Sequence, residues 1–198
     1  MLKPWLKLID ETLTTTALKK LCKSTPNAHI LDQYANNDNP DAHEEGTAVE
    51  IWDDFNGKID MIVTGVGTGG TITGIAKYLK QKNPNIEIVG ADPYGSILGG
   101  GDDIHPYKVE GIGYDFFPDV LDNSLVDKYI KVNDENSFDM ARQLIKKEGL
   151  LCGGSSGTVV WAALQTAQKL KQGQNCLCIL ADGIRNYMSK FVADEWME

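Results

Sequence analysis

Long apolar runs, basic charge and cysteine are all scarce in this 198-residue chain, and each shortage closes off a class of function. The longest apolar stretches, around residues 61–63 and 158–164, fall far short of the ~20 residues that cross a bilayer, so no membrane partner is expected. Lys and Arg total 19 against 28 Asp and Glu, a formal net charge of −9 that repels nucleic-acid backbones and anionic membranes. The opening MLKPWLKLIDETL carries Pro4, Lys7, Asp10 and Glu11 where a secretory signal needs an apolar core, so no targeting segment is expected. Cys22, Cys152, Cys176 and Cys178 are few for this length, and the last two share one face of an apolar strand. Buried, reduced thiols of a cytoplasmic protein are favoured over disulfides or a metal site. His29, His43 and His105 have no ligand spacing to any cysteine, and no metal is expected.

What the chain has in quantity is glycine. Its 20 copies are about a tenth of the sequence, against the usual ~7%. They gather at 65–70, 99–101, 111–113 and 153–157. Such clusters imply tight loops with backbone N–H groups free for binding. The 42% hydrophobic and 24% charged content is that of one globular unit able to bury a core.

Between the loops the pattern alternates. Residues 59–66, 86–92, 128–133 and 176–181 predict strands, and 70–80, 134–148 and 156–171 predict helices. In the first of these helices Ile72, Ile75, Ala76 and Leu79 fall on one face. The second is capped by Asn133 or Asp134 and stops at Gly149. A terminal helix is expected over 187–197 and a short one over 48–55; otherwise the first 55 residues look irregular, with a polar turn at 36–40. Strands apolar on both faces and separated by helices predict an α/β fold, a mainly parallel sheet covered on both sides. Ligands then lie at the carboxyl ends of the strands.

Gly65-Val66-Gly67-Thr68-Gly69-Gly70-Thr71 follows a strand and opens a helix. Glycines let backbone approach an anion, and the unpaired N–H groups and dipole of the helix start favour it. Thr68 and Thr71 add hydroxyl donors, so a phosphate is the natural ligand, and a side chain at Gly70 would project where its oxygens lie. The same letters satisfy the dinucleotide fingerprint GxGxxG, with Asp92 ending the next strand where a ribose-binding acid would sit. Spacing alone does not separate the two. The threonines, and a second glycine loop at 152–157 entering a second helix, weigh toward a compact phosphate monoester. Ser155 in that loop is open to two roles, helix N-cap or ligand contact.

The runs VGTGGTITGIAKYLK, VGADPYGSIL, VEGIGYDFFPDVLD, EGLLCGGSSGTVV and RNYMSKFVADEWM, in that order, resemble successive blocks of the cystathionine β-synthase and cysteine synthase family. These are pyridoxal-phosphate enzymes of the tryptophan-synthase β fold type, also called fold type II. The resemblance begins near Asn27 and implies that residues 27–198 are a partial large cofactor-binding domain, with 1–26 a divergent remnant of the smaller N-terminal subdomain. It implies that Gly67, Thr68, Gly69, Gly70 and Thr71 hold the cofactor phosphate and that the Ser155 hydroxyl meets the pyridine nitrogen. A neutral hydroxyl makes the ring a weaker electron sink than a carboxylate would, which suits β-replacement. Gly111 and Tyr114, in the EGIGYD block, and Gln33, in LDQY, are implied on the substrate side.

The resemblance further implies condensation of L-serine with L-homocysteine to L-cystathionine and water, within transsulfuration and cysteine biosynthesis, by a cytoplasmic homodimer. The family's Schiff-base lysine has no counterpart in this chain, nor has its Ser-Gly-Asn-Thr-Gly substrate loop or haem-binding segment. No catalytic residue is therefore assigned, and the chain alone is expected to be inactive. Ala181-Asp182 replaces the family's Pro-Asp after the last strand. Two rivals stand beside this expectation: a cysteine synthase acting on O-acetylserine, and a non-catalytic product that binds cofactor or a partner.

Overall fold

The structure is a computed structural model that describes residues 10–198. Its centre is a four-stranded parallel sheet in the order β3-β2-β1-β4, formed by β1 (Met61–Gly65), β2 (Glu87–Pro93), β3 (Lys128–Val132) and β4 (Cys176–Cys178). β1 sits inside, with Val63 opposite Val89 on one side and Cys178 on the other.

The period of two along a strand sorts the core into two layers. Ile62, Val66 and Ile88 pack with Ile72, Ile75 and Leu79 of α4 (Gly70–Lys82) and with Ile51 of α3 (Ala48–Asp54). Met61, Val63, Val89 and Ala91 face the other way, onto Val159, Ala162 and Ala163 of α6 (Gly154–Thr166). Both faces are thus covered, as the unbroken apolar strands predict. Before α3 lie α2 (Asp38–Ala42) and a π-helical turn (His43–Thr47). On the α6 side, α5 (Asp134–Gln143) is capped by Asn133, whose side chain accepts from the Asn136 N–H. It runs on as a π turn that stops at Gly149, where φ is +69° and a side chain would be strained.

Four expectations are corrected. The first 55 residues contain α1 (Asp10–Ser24), a helix whose Leu18 and Leu21 are exposed. Its Ala-Leu-Lys-Lys-Leu run has helix propensity without a buried stripe, so periodicity gave no signal. The polar turn at 36–40 is in part the start of α2, with Asn36 Oδ1 accepting from the Asp38 N–H. The last strand ends at Cys178 because its ladder with β1 ends there, although the Ile179 N–H still donates to Val63 O. In place of a helix over 187–197 there are a 3₁₀ turn (Ile184–Tyr187) and the short α7 (Asp194–Met197). The irregular path stacks Phe191 on Phe138, with ring centroids 5.4 Å apart, and sets Trp196 edge-on to the same ring.

All four cysteines are free; Cys152 is buried and the others are half-buried. Among the described residues no helix is long and apolar enough to cross a membrane. Residues 1–9, which hold most of the segment read for a targeting signal and the start of the 1–26 subdomain remnant, lie outside the described residues.

Candidate functional site

A cavity of about 500 Å³ opens at the carboxyl ends of β1 and β4, lined by both glycine loops. β1 delivers Thr64 and Gly65 to its floor, and the chain leaving β4 delivers Ile179 to Asp182 to its wall. α4 and α6 both begin at the cavity, and neither has an acidic residue in its first turn. Two helix N-termini therefore point partial positive charge and unpaired N–H groups into one space. The two helix dipoles favour an anion in this space.

The first loop is shaped by close approach. Gly69 has φ +89°, the left-handed conformation that begins α4. A Cβ on Gly67 would stand 2.7 Å from the Gly111 carbonyl oxygen, so the absence of a side chain lets the 67–71 and 110–112 segments face each other across the cavity. Gly67, Thr68, Gly69, Thr71, Gly111 and Ser155 all line it.

Gly70 does not share that lining. A Cβ there would lie 1.8 Å from Asn39 Oδ1, so a substituent meets Asn39 before it meets any ligand. Asn39 Nδ2 donates to Thr68 Oγ1 at 3.0 Å and to the Gln33 carbonyl at 2.7 Å. Gln33 is thereby tied to the loop through its backbone, while its side chain is exposed and outside the lining. Tyr114 also lies off the lining; its ring packs with Tyr34 and Phe116, at centroid distances of 5.6 and 5.0 Å. Its carbonyl accepts from Ser96 Oγ and the Ile97 N–H.

Ser155 is nearly buried in the first turn of α6 and does not cap that helix. The N-cap position is Gly153, with no side-chain cap. The N-cap alternative for Ser155 is thus set aside, and the residue lines the cavity. The dinucleotide alternative also loses its acid. Asp92 is wholly buried, and its Oδ2 accepts from Lys131 Nζ at 2.6 Å and from the Gly99 N–H at 2.8 Å. A carboxylate committed to a buried ion pair cannot meet a ribose.

The lining holds five ionisable or hydroxyl residues that sequence reading did not single out as site residues, His43, Thr47, Thr64, Glu110 and Asp182, although Glu110 lies in the EGIGYD block implied on the substrate side. Glu110 is ion-paired with Lys190. Asp182 Oδ2 accepts from the Tyr187 hydroxyl at 2.6 Å, and burial, with this bond, pushes that phenol well above its ordinary range. Asp182 directly follows an apolar strand run, a position from which the carboxyl-end rule finds it. His43 carries no such signal; it reaches the cavity only because the π turn packs against α4. Among the described residues no lysine lines the cavity.

The family model for pyridoxal-phosphate dependent enzymes matches residues 7–182. The chain is 56% identical over 183 residues to the cystathionine beta-synthase of Dictyostelium discoideum, covering 90% of this chain and 37% of that protein. It is 55% identical to the enzyme of the same name from Rattus norvegicus, covering 90% of this chain and 33% of that one. The chain thus spans only about a third of these curated relatives. Among solved structures, an O-acetylserine dependent cystathionine beta-synthase from Helicobacter pylori superposes with a TM-score of 0.85 at 38% identity, covering 95% of this chain and 60% of that one.

Proposed function

The chain belongs to the pyridoxal-phosphate dependent enzyme family, and on that premise we propose that it is the cofactor-binding part of a cystathionine β-synthase. The complete protein would condense L-serine with L-homocysteine to L-cystathionine and water. The observation that carries this reading is one cavity receiving the N-termini of two helices through two glycine loops.

The donor set suits the cofactor. A phosphate monoester is taken by the first-turn N–H groups of α4 and the Thr68 and Thr71 hydroxyls, beside Gly67, Gly69 and Gly70. The volume is within the range of small-molecule sites. Ser155, from the opposite helix, offers a neutral hydroxyl to the ring nitrogen and so does not hold a proton there as a carboxylate would. When bound, pyridoxal phosphate supplies an electron sink that eases loss of a substituent from the substrate β-carbon. Gly111, with Glu110 and Ile112, walls the substrate side, and Tyr114 and Gln33 support that wall and the phosphate loop from behind. No lysine of this chain is assigned to the cofactor aldehyde in this proposal. Homodimeric assembly and a cytoplasmic location belong to the same proposal.

The test uses the full-length protein loaded with pyridoxal phosphate and offered serine or O-acetylserine, each with homocysteine or sulfide. Cystathionine from serine and homocysteine supports the proposal. Product from O-acetylserine and sulfide alone makes it a cysteine synthase, and cofactor retention with no product in any arm makes it a binding protein. Ser155→Asp should retain cofactor, alter its visible spectrum and slow β-replacement. An unchanged spectrum and rate would remove Ser155 from the ring.

A further inference from the structure

His43 lines the cavity from the π turn, and both of its ring nitrogens are engaged by threonines. Nδ1 is 2.9 Å from Thr47 Oγ1, and Nε2 is 3.2 Å from Thr71 Oγ1. Close packing holds the ring there: a Cβ on Gly74 of α4 would lie 2.7 Å from His43 Cβ and 2.1 Å from the Pro40 carbonyl oxygen. Only a bare backbone at Gly74 lets the π turn press this tightly against the first turns of α4. Neither threonine contact is local to the phosphate loop's own sequence.

A hydroxyl has one proton to give. If Thr71 donates into the cavity, its contact with His43 Nε2 can only be one in which the hydroxyl oxygen accepts. That requires the proton on Nε2, which leaves Nδ1 as an acceptor for the Thr47 hydroxyl. We propose that His43 is a positioning residue for the anion loop: its Nε2–H turns the Thr71 hydroxyl proton toward a phosphate monoester, and Nδ1 accepts from the Thr47 hydroxyl. The opposite arrangement, with Thr71 donating to Nε2, would aim an oxygen lone pair at the anion and repel it. Burial holds the ring below its ordinary 6.5, so the neutral imidazole that this chain of bonds needs is the resting form. The inference rests on the phosphate reading of the cavity and adds to it a residue outside the glycine loop.

The experiment compares binding of pyridoxal phosphate with binding of pyridoxal, which has the ring and no phosphate, by absorbance titration of the full-length protein. His43→Phe keeps a planar ring and removes both nitrogens; its affinity for pyridoxal phosphate should fall about 10-fold, or about 1.4 kcal/mol, with pyridoxal unchanged. His43→Gln can place an amide N–H near the Nε2 position and should stay within about threefold of the native protein. ¹⁵N NMR of the native holoprotein should show His43 protonated at Nε2 and bare at Nδ1. This last measurement stands even where a variant fails to fold. Equal losses for both ligands in His43→Phe, no loss at all, or a proton on Nδ1 would overturn the inference. Failure of the native protein to take up pyridoxal phosphate would overturn the phosphate reading itself.

Discussion

Gly70→Ala offers a test in which the structure predicts a change of sign. The new Cβ would stand 1.8 Å from Asn39 Oδ1 and 2.4 Å from its Cγ, so Asn39 must swing away. It then gives up its bonds to Thr68 Oγ1 and the Gln33 carbonyl. Each neutral bond contributes about 1 kcal/mol net, and residual crowding at the Asn39 side chain costs about 1 kcal/mol more. Against these about 3 kcal/mol, alanine in a helix that tolerates it gains about 0.5–1 kcal/mol over glycine. Gly70 does not need a positive φ, so that gain applies. The net destabilisation is about 2 kcal/mol. In an Asn39→Ala background the bonds are already gone, and so are the three atoms nearest the new Cβ, so the same Gly70→Ala change should stabilise by about 0.5–1 kcal/mol. Urea unfolding of the cofactor-free full-length protein and its three variants, followed by tryptophan fluorescence, closes the double-mutant cycle. An equal cost of Gly70→Ala in both backgrounds would refute the argument and show that Asn39 is not what excludes a side chain.

Lys131→Met should destabilise strongly, by about 3–5 kcal/mol, because it strands the buried Asp92 carboxylate. Among the described residues Asp92 Oδ1 already has no partner. Adding Asp92→Asn should recover part of the loss, and urea midpoints that show none would mean that the pair is not the cause. Acidification should weaken the cofactor-free fold through His43. Its folded pKa lies below the unfolded 6.5, so the unfolded chain binds the proton first, and the contribution present above pH 6.5 is lost as pH falls through the folded value. Thermal melts between pH 7.5 and 5 should fall less steeply for His43→Gln than for the native protein; parallel curves would count against a buried neutral imidazole.

The parts of the site that were legible in the sequence are those that a strand, a loop and a helix encode within about twenty consecutive residues. Apolar periods placed β1 and α4, and the glycines and threonines between them placed Thr68 and Thr71 at a helix start, because those signals act through local backbone sterics and dipoles. The same holds for Ser155 at the start of α6. Spacing could not tell a monophosphate loop from a dinucleotide fingerprint; the threonines and the second glycine loop only weighed toward the former, and the burial of Asp92 against Lys131, a strand neighbour 39 residues away, is visible only in the fold. Nor could local letters show that the space beside Gly70 belongs to Asn39, or that Gln33 and Tyr114 lie outside the cavity lining. His43 and Thr47 join Thr71 only through packing of the π turn on α4, a contact across 28 residues that leaves no periodic trace. Ion pairing and burial are properties of three-dimensional neighbours, and so tertiary structure alone determined which of the glycine-loop residues line the cavity and which contact the segments around it.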